Sequence, residues 1–404
     1  MDDRATSANA ILVVGAGMAA HGFVARVLSD TEADVRITVI GDEGEGPYDR
    51  AALTGVLLGE DPARLRLDRS VFRDDRVRLI RDDRVLHIDR RARTVRTRSR
   101  RRYSYDTLVL ATGSSSPRPA VEGAHTPGCF VIRTMEDAEA VRAFVRSRAL
   151  FLRRPLRGAV IGGGFRGVQA ADALQRSGVR TTVVQRAERL LPAQLDPPGA
   201  GMVRDALEAQ GITVRTRSRV TRVDPDESGA VASLEFLDGS FQRADVVVFA
   251  VGDRPRDELA QNAGLAVHPW GGVVVDDGCV SSDPDILVIG EAACVDGRTV
   301  DGIAATRATA EVAAGRVLGR DDRLPDQDES AHRILAGIPS AIIGEPLSSR
   351  TGLVDVVVVR DADAGVYRKL VLSDDARTLA GAILVGDTGL YQALCSLSTT
   401  MTGA

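Results

Sequence analysis

The segments AILVVGAGMAA, starting at Ala10, and RGAVIGGGFRG, starting at Arg157, are two copies of one construction. Each runs from a short aliphatic strand through a glycine turn into helical periodicity, which is a βα unit. In the first, Gly15 permits the tight turn, Gly17 lets backbone approach a pyrophosphate, and Ala20 is the small residue for close helix–strand packing. Met18 and Ala19 open the helix, whose free N–H groups and positive dipole end suit phosphate. In the second, Gly162, Gly164 and Gly167 take the same three places.

A further strand follows each turn at the spacing of a βαβ unit. RITVIGDE (36–43) ends on Asp42 and Glu43, either of which can accept a ribose hydroxyl. TTVVQR (181–186) ends instead on Gln185 and Arg186. LVLATGS (108–114) and VVVFAVGDRPR (246–256) are buried-type strands with glycine turns at Gly113 and Gly252, and DPDILVIGEAA (283–293) is a strand running into Gly290 and Glu291, with helical pattern resuming near 302. Two complete fingerprints roughly 150 residues apart imply two dinucleotides on two doubly wound domains. The expected class is α/β.

The two strand ends ask for different riboses. NAD sites place an acid there for the 2′-hydroxyl, whereas NADP sites remove the acid and add arginine for the 2′-phosphate. A carboxylate about 4 Å from that phosphate costs on the order of 4 kcal/mol per charge pair at an effective dielectric near 20, a factor of several hundred in affinity. Gln185 removes that repulsion and Arg186 offers a bidentate donor, with Arg189 as an assisting cation. This predicts NADPH over NADH. Because Lys369 is the only lysine, arginine carries nearly all the basic charge, and a solvated surface position is the competing reading of Arg186.

At 404 residues, 44% hydrophobic and 27% charged, the chain has ordinary globular composition and room for two to four domains. A net charge of −4 points to neither nucleic acid nor an anionic membrane. Cys129, Cys279, Cys294 and Cys395 form no CxxC pair, so neither a disulfide framework nor an iron–sulfur or other metal site is expected. The apolar run at Ala10 lacks the basic flank of a signal peptide, and no stretch is long enough to span a membrane. A cytoplasmic location is expected.

GPYDRAAL (46–53), CFVIRTMEDAEAV (129–141), the second glycine segment, ADVVVFAVGDRPRDELAQNAGLAV (244–267) and YRKLVLSDDARTLAGAILVGDTGLYQAL (367–394) carry a specific resemblance. The chain resembles the two-dinucleotide-binding flavoproteins, the class of glutathione and ferredoxin reductases, and in particular the FAD/NAD(P)H module of the nitrite reductase large subunit. The resemblance implies an FAD domain over 1–115 and 242–318, an NAD(P)H domain over 116–241 inserted in it, both Rossmann-like, and a small α+β C-terminal domain over 325–404 with a hairpin turning at Asp374–Asp375. It places Arg50 near the FAD, Val85 at the adenine through its backbone, Thr112 and Gly113 at the flavin side, and Glu291 at the ribityl chain; Arg118 and Gly252 join these as cofactor-binding candidates. An ion-pair role for Arg50 and a plain core role for Val85 are the alternatives.

Departures from the family pattern narrow the chemistry. The disulfide reductases carry a CxxxxC pair in the stretch that here reads PYDRAALTGVLLG, which has no cysteine. Ferredoxin-reductase-like members carry a lysine and a glutamate where this chain has Gly55 and Gln169. The sequence has none of the cysteine-rich iron–sulfur ligands of the nitrite reductase large subunit, so by itself it is not expected to reduce nitrite to ammonia and at most feeds electrons to something that does. No catalytic residue is assigned, since the reactive chemistry belongs to flavin and nicotinamide. The expected activity is FAD-dependent NAD(P)H oxidation with electrons passed to a protein acceptor such as a ferredoxin, an oxygenase or a nitrite reductase-type subunit. The basic run RTRSRRRYSY (96–105) is read as a solvated hairpin tip, with docking of an acidic carrier as the alternative, and FLRRPLR (151–157) as a loop. Two other functions stay open: direct action on a small molecule, favoured by Ala-Thr-Arg around Arg307 where relatives have an aromatic or lysine, and a redox-inactive nucleotide-binding subunit. The sequence does not indicate an oligomeric state.

Overall fold

A computed structural model describes residues 8–325, 331–344, 346–347, 353–361, 363–373 and 379–399. The chain divides into two compact units, one of Met1–Arg50, Pro62–Ser115 and Asp253–Gln327, the other of Ala51–Asp61, Ser116–Gly252 and Asp328–Ala404.

The first unit is built on a five-stranded sheet ordered Ile286–Val288, Thr107–Leu110, Asn9–Val14, Val35–Ile40 and Val77–Ile80, with every pairing parallel. A parallel sheet must be covered on both faces, because its crossover segments lie against them. The side chains divide accordingly. Ile11, Val13, Ile37, Val39, Val109 and Leu287 enter one core cluster, while Leu12, Val14, Ile40, Leu108, Leu110, Ile286 and Val288 enter the other. Helix Met18–Leu28 presents Ala19, Ala20, Phe23, Val24 and Val27 to the first cluster and packs against helix Ile303–Val317. That helix begins at Gly302, where the sequence pattern placed it. Strands Val85–Asp89, Thr94–Thr97 and Arg102–Ser104 form an antiparallel sheet, and the arginine-rich 96–102 run makes its hairpin turn, with Arg100 at φ 65°.

The second unit repeats the plan with strand order Thr213–Arg215, Arg180–Val184, Arg157–Ile161, Val246–Phe249 and Cys129–Phe130, again all parallel. Val246–Phe249 hydrogen-bonds to Arg157–Ile161, so the chain returns to the first unit at Asp253 and not at 242. The FLRRPLR segment is a loop only in its middle. Helix Met135–Leu152, started by a capping box between Thr134 and Asp137, runs through Phe151, and Arg157 already belongs to a strand. The short Leu53–Leu57 helix packs on helices Met135–Leu152 and Phe165–Arg176.

The C-terminal part of this unit is an antiparallel sheet ordered Ala331–Leu335, Ile338–Gly344, Leu379–Val385, Val366–Ser373 and Leu353–Asp361, covered by helix Tyr391–Thr399. Val366–Ser373 and Leu379–Val385 are the two strands of the expected hairpin, while Asp374–Asp375 lies outside the described residues. Buried Tyr367 donates its hydroxyl proton to Asp196, whose carboxylate also caps helix Pro197–Ala209 through Gly199 N–H.

Candidate functional site

The first glycine turn is dictated by its neighbours. Gly15 sits at φ 110°, and a Cβ there would collide with the carbonyl oxygen of Ala111, so only glycine fits. Gly17 differs: the nearest atom to a Cβ would be Arg50 Nε at 4.0 Å, leaving room for an approaching group at the helix N-terminus. Ala20 is fully buried under the helix, and Met18 and Ala19 form its first turn.

Around this turn the polar candidates fall into two sets. Glu43, Tyr48 and Arg50 bind one another: the Tyr48 hydroxyl donates to Glu43 Oε2 (2.6 Å) and accepts from Arg50 Nη1 (2.8 Å), while Arg50 Nη2 pairs with Glu43. Burial works against the Arg50 cation, but Tyr48 and Glu43 outweigh it and raise its pKa above the usual arginine range. Of the two acids at the strand end, Glu43 is therefore engaged with arginine, and Asp42 faces Arg84 at 3.9 Å. On the other side, Ser114 Oγ donates to Glu291 Oε2 (2.9 Å), and Gly290, at φ 67°, donates its N–H to Thr309 Oγ1 (2.9 Å). Thr112 Oγ1 donates to the carbonyl of Arg256 (2.7 Å), and Gly113 carbonyl accepts the Arg256 N–H (2.9 Å). The Val85 side chain is core, packed with Leu12, Ile88 and Val95. Arg256 was absent from the sequence candidates; its one signal is its place directly after the VVVFAVGDRP segment.

In the second unit Gly162 stands at φ 116° with its Cβ position blocked by Ala250 oxygen, and a Cβ on Gly167 would strike Gly162 oxygen. Around Gly164 nothing lies within 4 Å of a Cβ position. Gly252, at φ 114°, is open in the same way. Gln185 Oε1 accepts the Arg186 N–H (2.9 Å), which turns the amide back on the strand end. Arg186 is exposed, and its guanidinium has no partner among the described residues. Arg189, the assisting cation of the sequence reading, is engaged within its own loop. Its Nε donates to Leu195 oxygen (3.0 Å), Nη2 to Pro192 oxygen (3.1 Å) and Nη1 to Glu188 (2.9 Å), so it holds its own loop together. Arg118 likewise clamps backbone, donating to the carbonyls of Ala124 (2.7 Å) and Cys129 (2.8 Å). Beside Arg186, the Arg217 N–H donates to Ala187 oxygen (2.9 Å) and the Arg217 guanidinium reaches Glu188 at 3.4 Å.

Gly55 lies in the Leu53–Leu57 helix, with the carboxylate of Glu60 over its Cβ position; Gln169 is half-buried in helix Phe165–Arg176. None of the four cysteines is in a disulfide, and burial pushes the thiols of Cys129 and Cys279 up to about 11 and about 12. Among the described residues no group of His, Cys, Asp and Glu is arranged to hold a metal, and no helix is long and apolar enough to cross a membrane.

Two parallel sheets, each with a glycine turn open to phosphate, define a two-dinucleotide oxidoreductase. The chain belongs to the pyridine nucleotide-disulphide oxidoreductase family, whose profile matches residues 9–314. This family uses FAD together with a pyridine nucleotide, and the open faces of Gly17 and Gly164 fit two such groups. The chain is 35% identical over 389 residues to the nitrite reductase (NADH) large subunit of Escherichia coli K12, covering 96% of this chain and 45% of that protein. It is 31% identical to the assimilatory nitrate reductase electron transfer subunit of Bacillus subtilis 168, covering 94% and 48%. It thus spans about half the length of these relatives. Among solved structures, the ferredoxin reductase for the CYP199A2 system from Rhodopseudomonas palustris superposes with a TM-score of 0.83 at 27% identity, over 94% of this chain and 91% of that one.

Proposed function

We propose that the protein oxidises NADPH with FAD as its bound cofactor and delivers the electrons to a separate protein acceptor, of the ferredoxin, oxygenase or nitrite reductase-subunit kind. The flavin, when bound, supplies the step from two-electron hydride chemistry to onward electron transfer. The chain's own residues hold and orient. Gly17, Arg50, Thr112, Gly113 and Glu291 line the FAD site in this reading, and Gly164 with Arg186 receives the coenzyme. The relatives named for electron transfer and for reduction of ferredoxin favour a protein acceptor.

One observation carries the coenzyme assignment: the second strand end has no acid of its own, and the Arg186 guanidinium there is exposed and has no partner among the described residues. A 2′-phosphate satisfies that cation. The check is kcat/KM for NADPH and NADH, measured for the wild type, Arg186→Ala and Gln185→Glu. Wild type is expected to prefer NADPH, and Arg186→Ala to lose about 10- to 100-fold on NADPH alone, the worth of a charge-assisted hydrogen bond. Gln185→Glu should move the preference toward NADH. A wild type that prefers NADH ends the assignment.

A further inference from the structure

Among the described residues, Arg256 is a cation at the first site with no ion-pair partner. It follows the short Arg254–Pro255 strand, which pairs antiparallel with Ser114–Ser115. Its backbone is fixed at both ends, by its N–H on Gly113 oxygen and by Thr112 Oγ1 on its carbonyl. The side chain therefore leaves a rigid support, partly buried, in the electrostatic neighbourhood of Arg50, Asp42, Arg84 and Glu43. The other charges there are matched, Arg50 with Glu43 and Arg84 with Asp42 at 3.9 Å. Among the described residues the Arg256 guanidinium makes no hydrogen bond and no ion pair. Burial, with the Arg50 cation beside it, pulls its pKa below the usual arginine value. A desolvated cation held near a second cation is unfavourable until an anion joins them. Arg50 Nε already borders the open face of Gly17, where the helix offers its N–H groups.

We propose that Arg256 is a pyrophosphate ligand of the FAD, completing with Arg50 and the Gly17 turn a cradle for a doubly charged group. The proposal rests on FAD occupying the first glycine turn. Guanidinium suits the task because its planar fork binds two phosphate oxygens at once, and the locked backbone lowers the entropy lost on binding. It also accounts for the hydrogen bonds of Thr112 and Gly113, which hold Arg256 through its main chain.

The test uses the full chain with Arg256→Gln and, as a second charge-removing change, Arg256→Met. FAD release from the holoprotein is followed by flavin fluorescence at low and high salt, and ADP and adenosine are titrated into the flavin-stripped chain by calorimetry. Both variants should bind FAD and ADP about 10- to 100-fold more weakly than wild type, as expected for loss of a charge-assisted phosphate contact. Adenosine affinity should be unchanged, and the salt dependence of FAD release should be shallower than in wild type. Equal FAD and ADP affinities in wild type and either folded variant would overturn the proposal, as would a parallel loss for adenosine, which would place Arg256 at the nucleoside. A wild-type chain that takes up no FAD would instead refute the reading on which the proposal rests.

Discussion

Glycines at the two turns do two separable jobs. At Gly167 the missing side chain makes room for protein, since a Cβ would strike the Gly162 carbonyl; at Gly164 no described atom lies within 4 Å of the Cβ position, so the space there is open to the proposed coenzyme. Gly164→Ala should therefore change stability by only about 1 kcal/mol, the scale of a helix N-cap substitution. Its coenzyme affinity should fall by about 10-fold or more, because the methyl holds the pyrophosphate off the helix N–H groups. Gly167→Ala should do the reverse, destabilising by ~1–3 kcal/mol through overpacking while leaving the phosphate approach open. Urea melts beside coenzyme titrations separate the two. Similar losses in both measurements for both variants would show that the Gly164 face is structural too.

Elements in this chain are joined by arginines that meet acids and carbonyls far away in sequence. Arg148, on helix Met135–Leu152, is 7% exposed and pairs with Asp226 in the turn between strands Val220–Pro225 and Val231–Phe236. Hydrogen bonds from Ser228 and then Arg148 hold the Asp226 carboxyl at about 2, below its ordinary 3.8. The folded pKa is the depressed one, so this stabilisation is complete above about pH 4 and is lost as pH falls through about 2. Asp226→Asn should cost ~1–3 kcal/mol at pH 7, because a buried guanidinium loses its counter-ion. The gap between variant and wild type, measured by denaturant unfolding, should hold constant to pH 5 and close only below 4; a gap that widened in acid would contradict the assignment. Such links also mark where sequence was illegible. The two βα units were readable because a strand buried on both faces and a glycine turn leave a local pattern. Val246–Phe249 was legible as a strand, but its partner lies about 90 residues earlier, and no local pattern says which sheet it completes. Arg118 and Arg189, cofactor-binding candidates by sequence, donate to backbone carbonyls, and an arginine that does so has no sequence signature to separate it from one that waits for phosphate. Arg256 is the converse, its guanidinium without a partner among the described residues yet unmarked in the sequence.

For the chain as a whole, the question is where electrons reside after the coenzyme has been oxidised. The family includes enzymes that hold them as a dithiol, and the stretch that would carry it here runs from Arg50 through helix Leu53–Leu57 without a cysteine. The four cysteines are divided between the units, Cys279 and Cys294 in the first and Cys129 and Cys395 in the second. Thiol–disulfide exchange needs a thiolate, and thiols pushed to about 11 and about 12 by burial stay protonated at neutral pH. In each unit at least one of the two thiols is thus buried and protonated at neutral pH, which favours the proposed route through flavin to an external acceptor over a protein dithiol. Thiols counted in denaturant should be equal before and after anaerobic NADPH treatment, even as the flavin's visible absorption bleaches. A rise of two thiols would reveal a reducible disulfide and return the chain to the dithiol branch of its family. Bleaching without any rise, followed by recovery of the colour on adding an oxidised ferredoxin, is the outcome that one-way delivery to a protein partner requires.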